Sequence, residues 1–227
     1  MAVPDWVDWN RVQRGQLVYW RYCHFIMKVL DSTGYLLGKK TTQRITETAQ
    51  FVFDVAYSID YLEPGSGPAW KSIIQVRFLH AGVRARLSRI SRAHPKYYNL
   101  EEDGVPINQE DQLATLFSLS AAMWRVMGQR MDVHMTTQER EDYLHLWRYI
   151  GYMMGVDDFL GVTLTPERAD ACLESIVLHL ADPDADSGRL LSTWARNFDP
   201  QPKWFFHITK TVGLLDPYKL NMVLQSI

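Results

Sequence analysis

Cysteine is almost absent. Cys23 and Cys172 are the only two, far apart in the chain. One disulfide is the most they can form, which excludes a disulfide-built scaffold, and two reduced thiols are expected. Long apolar runs are missing too. None reaches the ~18 residues that a membrane-spanning helix requires. Met1 to Trp6 lacks the basic-then-apolar layout of a signal peptide. A soluble chain is therefore expected, cytoplasmic by default, with its compartment otherwise unknown. Charge of one sign is also lacking. Lys and Arg number 24 against 26 Asp and Glu, for a net charge of -2. No bulk attraction to nucleic acid or to an acidic membrane follows from that balance.

Most signatures of site chemistry are absent as well. No His-Glu-x-x-His occurs among the seven histidines, and no pair of Glu-x-x-His motifs marks a di-iron bundle. Glu141 and His145 share one helical face, in a single copy that reads as an intrahelical hydrogen bond. There is no Gly-x-Ser-x-Gly elbow, and neither phosphate-cradling glycine loop occurs. Neither cysteine opens a Cys-x-x-Cys-His run, which excludes c-type covalent haem attachment.

What is present is helical periodicity in an apolar, aromatic chain. Hydrophobic residues make up 47%, with eight tryptophans and nine methionines. Such residues fill a roomy, adaptable interior. The spacing predicts helices at about 9–30, 41–58, 68–92, 108–130, 137–154, 166–181, 188–197 and 203–214. Thr136 with Glu139 forms a capping box, Asn108 can cap another helix, and Thr165-Pro166-Glu167 opens a third. No alternating strand pattern, repeat or long linker divides the chain. One all-α domain over 1–227 is expected, ending in an irregular tail at 214–227.

His80 lies in line with Ile73, Val76, Val83, Leu87 and Ile90, so an imidazole joins an apolar helical stripe. It is either a hydrogen-bonded core residue or a ligand for something buried. Arg77 and Arg84, one turn to either side, could meet an anionic group there, such as haem propionates. Arg84, Arg86, Arg89 and Arg92 also lie at helical spacing and read as a solvated face. A second polar set, Arg44, Glu47 and Thr48, shares a face with Phe51 and Val55. The plain reading of that set is an internal Arg44–Glu47 ion pair, because burying unpaired charge costs several kcal/mol. Gly151 and Gly155 form a Gly-x-x-x-Gly that close helix packing explains.

Five segments occur together in a familiar order. They are Pro4-Asp5-Trp6-Val7-Asp8-Trp9; Arg44-Ile45-Thr46-Glu47-Thr48-Ala49; Val76 to Ala81 with Val83-Arg84; Gly104 to Asp111; and Tyr149 to Val156. In this order they resemble the rubber oxygenase (latex clearing protein) family, which includes the MpaB-type oxygenases. The resemblance covers roughly Asp5 to Asp170. It implies a globin-like helical bundle around a pocket for non-covalent haem b, with His80 as the iron ligand. Arg44 and Thr48 match family positions expected on the opposite side of the haem, and Glu47 matches one that can carry a charged residue. The implied activity is dioxygen-dependent cleavage of carbon–carbon double bonds in a polyisoprenoid or another apolar alkene. The alternative is an inactive member of the family that binds an apolar ligand. One departure stands out: residues 1–35 are shortened, most visibly between His24 and Thr33. The acidic residue that the family places before the arginine motif has only Asp31 as a nearby candidate.

Overall fold

A computed structural model of the chain describes residues 2–23, 39–94, 96, 98–101, 104–158 and 161–179, apart from the side chains at 22, 23, 39–46, 49, 130 and 131. Among these residues there are seven α-helices and no strand. They are α1 (Trp9–Val18), α2 (Lys39–Tyr57), α3 (Pro68–Ala93), α4 (Gln109–Leu119), α5 (Ala121–Met131), α6 (Thr137–Met154) and α7 (Pro166–His179).

The caps explain where several helices begin. Asp8 starts α1, its Oδ1 accepting from the N–H groups of Asn10 at 2.9 Å and Arg11 at 3.3 Å. Asn108 and Asp111 form a reciprocal capping box on α4, as do Thr136 and Glu139 on α6. The Thr165 hydroxyl accepts from Arg168 N at 3.4 Å at the start of α7. Gly155 ends α6 in the left-handed conformation, φ 89°.

The core forms around α6. Tyr143, Leu144, Leu146, Trp147, Tyr149, Ile150 and Met153 are all buried, so this helix is enclosed on nearly every side. α1 lies against it at close range. A Cβ on Gly15 would stand 2.5 Å from Asp142 O and 2.9 Å from Leu146 Cβ, so only glycine permits this approach. Buried Asp142 fixes the contact electrostatically, accepting from Arg14 Nε at 2.6 Å, Arg11 Nε at 3.1 Å and Gln138 Nε2 at 3.1 Å. Burial pushes this carboxyl up, but the bonds from Arg14 and Arg11 outweigh it and hold it below the usual range.

Several expectations change. The helix predicted over 108–130 is two helices, broken at Ser120, whose hydroxyl donates to Leu116 O at 2.8 Å in place of a continuing backbone ladder. α1 gives way to a π-helical turn at Tyr19–Cys23. The rest of the predicted 9–30 helix, both predicted helices after 188, the 214–227 tail, the shortened segment after His24 and Asp31 lie outside the described residues. His145 is not bonded to Glu141. Its Nε2 accepts from Asp8 N at 3.0 Å. Of the Gly-x-x-x-Gly pair, Gly151 packs tightly, since a Cβ there would lie 3.1 Å from Leu116 Cδ2, whereas Gly155 serves as the cap.

Candidate functional site

His80 occupies the middle of α3. At about 100° per residue it shares the inward side with Ala69, Ile73, Val76, Leu87 and Ser91, of which Ala69, Ile73 and Ser91 are buried. Val83 sits at the edge of this stripe and is exposed, so the inward face is narrower than the sequence suggested. The His80 ring is half-buried, and its Nδ1 is fully enclosed without a hydrogen-bond partner. Burial, and then the charge of Arg84, hold the imidazole below its usual pKa. The ring is therefore neutral near pH 7, which is the form that ligates metals. Leaving a buried polar atom unpaired costs about 1–3 kcal/mol. The deficit is notable because buried polar atoms are nearly always paired.

The two arginines beside His80 are engaged by backbone carbonyls. Arg77 Nη1 donates to Met153 O at 3.1 Å, and its Cζ lies 3.1 Å from where a Cβ on Gly155 would stand. Arg84 donates from Nε to Pro106 O at 3.1 Å and from Nη2 to Ile107 O at 2.5 Å. Both guanidiniums thus clamp α3 to neighbouring segments. An anionic group near His80 would compete with these carbonyls for them.

These clamps join three of the segments that stood out in the sequence. The 76–84 segment holds the end of α6 through Arg77 and the 104–111 segment through Arg84. Gln109 closes the circuit, donating to Gly155 O at 3.0 Å and accepting from Asp157 N at 2.8 Å. A fourth segment packs on the same helix: Trp9 meets Tyr149 edge to face at 5.3 Å, and Trp6 meets Tyr152 at 6.2 Å. The structural use of Arg77, Arg84 and Gln109 was not legible from spacing, because their partners are backbone carbonyls 22 to 76 residues away.

The fifth segment lies on α2, which packs against α3. Val52, Val55 and Ala56 are buried in its C-terminal half. Glu47 and Thr48, nearer its start, are exposed rather than buried. The expectation of a buried polar cluster is corrected for these two. The Arg44 side chain, and with it the expected Arg44–Glu47 ion pair, lies outside the described residues. No cluster of three or more metal-ligating side chains occurs among the described residues.

A separate cleft of about 240 Å³ lies by the end of α6, lined by Trp6, Leu116, Arg148, Tyr152 and Asp158 among others, but not by His80. Arg148 stacks 4.0 Å over the Trp6 ring. Its Nε lies 3.6 Å from Asp158 Oδ2. Volume places this cleft below the ~300–1,000 Å³ of typical small-molecule pockets.

The helical architecture has a solved counterpart. It matches a solved structure of latex clearing protein in the closed state, with a TM-score of 0.65 and 22% identity, over 85% of this chain and 54% of that chain. Residues 19–222 match the model of the family described as ER-bound oxygenase mpaB/B'/rubber oxygenase, catalytic domain, and the chain belongs to that family. A rubber oxygenase of Streptomyces sp. (strain K30) is 30% identical over 151 residues, covering 65% of this chain and 36% of that protein. The chain thus spans only about half or less of the length of these two relatives.

Proposed function

We propose that the chain is a haem b-dependent dioxygenase that cleaves carbon–carbon double bonds of a polyisoprenoid or another apolar alkene. The observation that carries this reading is the orphaned Nδ1 of a neutral histidine on the inward face of α3, in a chain of an oxygenase family. A neutral, half-buried imidazole is the form that ligates iron, so the residue fits the group. Haem, when bound, supplies the dioxygen chemistry that side chains lack. Overall, one dioxygen and one C=C bond become two C=O ends, and the atoms balance.

The roles of the chain's own residues follow. His80 would ligate the haem. Arg44 and Thr48 donate hydrogen bonds that orient dioxygen. Glu47 takes an allylic proton from the substrate and later returns it. α2 and α3 pack against each other, which supports this grouping. Arg77 and Arg84 fix the height of α3 against α6 and the 104–108 loop, and so position His80.

The exposure of Glu47 and Thr48 favours a second reading, an inactive family member that binds an apolar ligand. Turnover separates the two. The haem-loaded chain is incubated with dioxygen and cis-polyisoprene, and carbonyl ends are counted with a hydrazine reagent. Carbonyl formation that falls at least tenfold in Glu47→Gln and Arg44→Ala supports the dioxygenase. Haem binding without carbonyl formation supports the second reading.

A further inference from the structure

The outward face of α3 sets exposed apolar side chains beside exposed arginines. Phe78 is 73% exposed and Leu79 61%, side by side at mid-helix, and Val83 is exposed at their edge. Nothing lies within 4 Å of a Cβ placed on Gly82. One turn further, Arg86, Arg89 and Arg92 are exposed and enter no ion pair or hydrogen bond with the described residues. From Pro68 to His94 there is not one acidic residue, against five arginines and one lysine, in a chain whose net charge is -2. Two of those arginines are held by carbonyls. The other three are exposed beside the apolar patch.

We infer that this face docks the protein on an anionic lipid surface. The charge favours an acidic occupant. A second copy does not supply one, since this face set against itself joins arginines with no acid between them. The shape favours lipid over an acidic peptide. Phe78 and Leu79 stand exposed and nothing lies within 4 Å of a Cβ on Gly82, so among the described residues this flank has no close wall, whereas a peptide helix seats in a groove. Such a flank enters a deformable medium. Its apolar side chains sink below the headgroups while the arginines remain among the phosphates. At about 200° around the helix from Phe78, His80 faces the other way, so docking leaves it unobstructed. The inference does not rest on the oxygenase reading, and its test measures binding alone.

The test is co-sedimentation of the full chain with phosphatidylcholine vesicles, with and without phosphatidylserine. Binding is expected only where phosphatidylserine is present, and it should fall steeply with salt. Each Arg→Gln change should weaken it roughly fivefold, and the triple variant R86Q/R89Q/R92Q on the order of 100-fold. Phe78→Ser with Leu79→Ser should weaken it at least tenfold at unchanged charge. Circular dichroism checks that both variants keep their helices. Equal binding to both vesicle types, no binding, or variants that bind like the parent would overturn the inference. So would a concentration-dependent dimer that the Phe78/Leu79 variant abolishes, which would make a second copy the occupant.

Discussion

Asp8 donates its backbone N–H to Nε2 of His145 at 3.0 Å, joining the cap of α1 to the middle of α6. The bond requires an unprotonated Nε2. Burial, then the charges of Arg11 and Arg148, lower the pKa of this histidine to about 4. An unfolded chain binds that proton near pH 6.5, so it holds more protons than the folded one between those values. Stability from this group is therefore complete above about pH 6.5 and is lost as pH falls toward 4. The loss is on the order of 3 kcal/mol. Asp142, whose carboxyl is held low, adds a loss of the same sign at still lower pH. Urea titrations from pH 7 to pH 4 should show the decline, and His145→Gln should flatten it. An unchanged midpoint across that range would count against a neutral, bonded His145.

Gly15 admits α1 to within van der Waals contact of α6. Gly15→Ala places a methyl against Asp142 O and Leu146 Cβ, neither of which is a flexible chain end. Overpacking of this kind costs about 1–3 kcal/mol. Helix propensity runs the other way, favouring alanine by roughly 1 kcal/mol. A net loss in denaturant midpoint is expected. A net gain would show that the helices are less closely seated.

Much of this architecture could be read in the residues. Caps at Asn108, Thr136 and Thr165 were legible because their partners lie three residues away. The stripe through His80 was legible because helical period is local. The break at Ser120 was not, since the apolar period runs on through it and only a serine bonding back to Leu116 O marks the interruption. Nor was the contact of Asp8 with His145, 137 residues apart, which left Glu141 as the nearest visible partner. Long-range pairing of arginines with carbonyls leaves no pattern in composition or spacing.

Arg84 bonds two successive carbonyls of the 104–108 loop. Arg84→Ala removes both bonds and should destabilise the fold by roughly 1.5–3 kcal/mol. Arg84→Lys should recover less than half of that, since an ammonium cannot reproduce the two-pronged geometry. If the clamp is the main duty of Arg84, the haem spectrum of the lysine variant stays close to that of the parent. A large loss of haem affinity at full stability would instead assign Arg84 to the cofactor.

The visible spectrum of the chain mixed with haem tests the account most directly. An intense Soret band with one-to-one binding is expected. His80→Ala should weaken haem binding at least tenfold with unchanged helical circular dichroism, and added imidazole should restore the band. A well-folded parent that binds no haem, or a His80→Ala variant whose spectrum and affinity match the parent, would contradict iron ligation by His80.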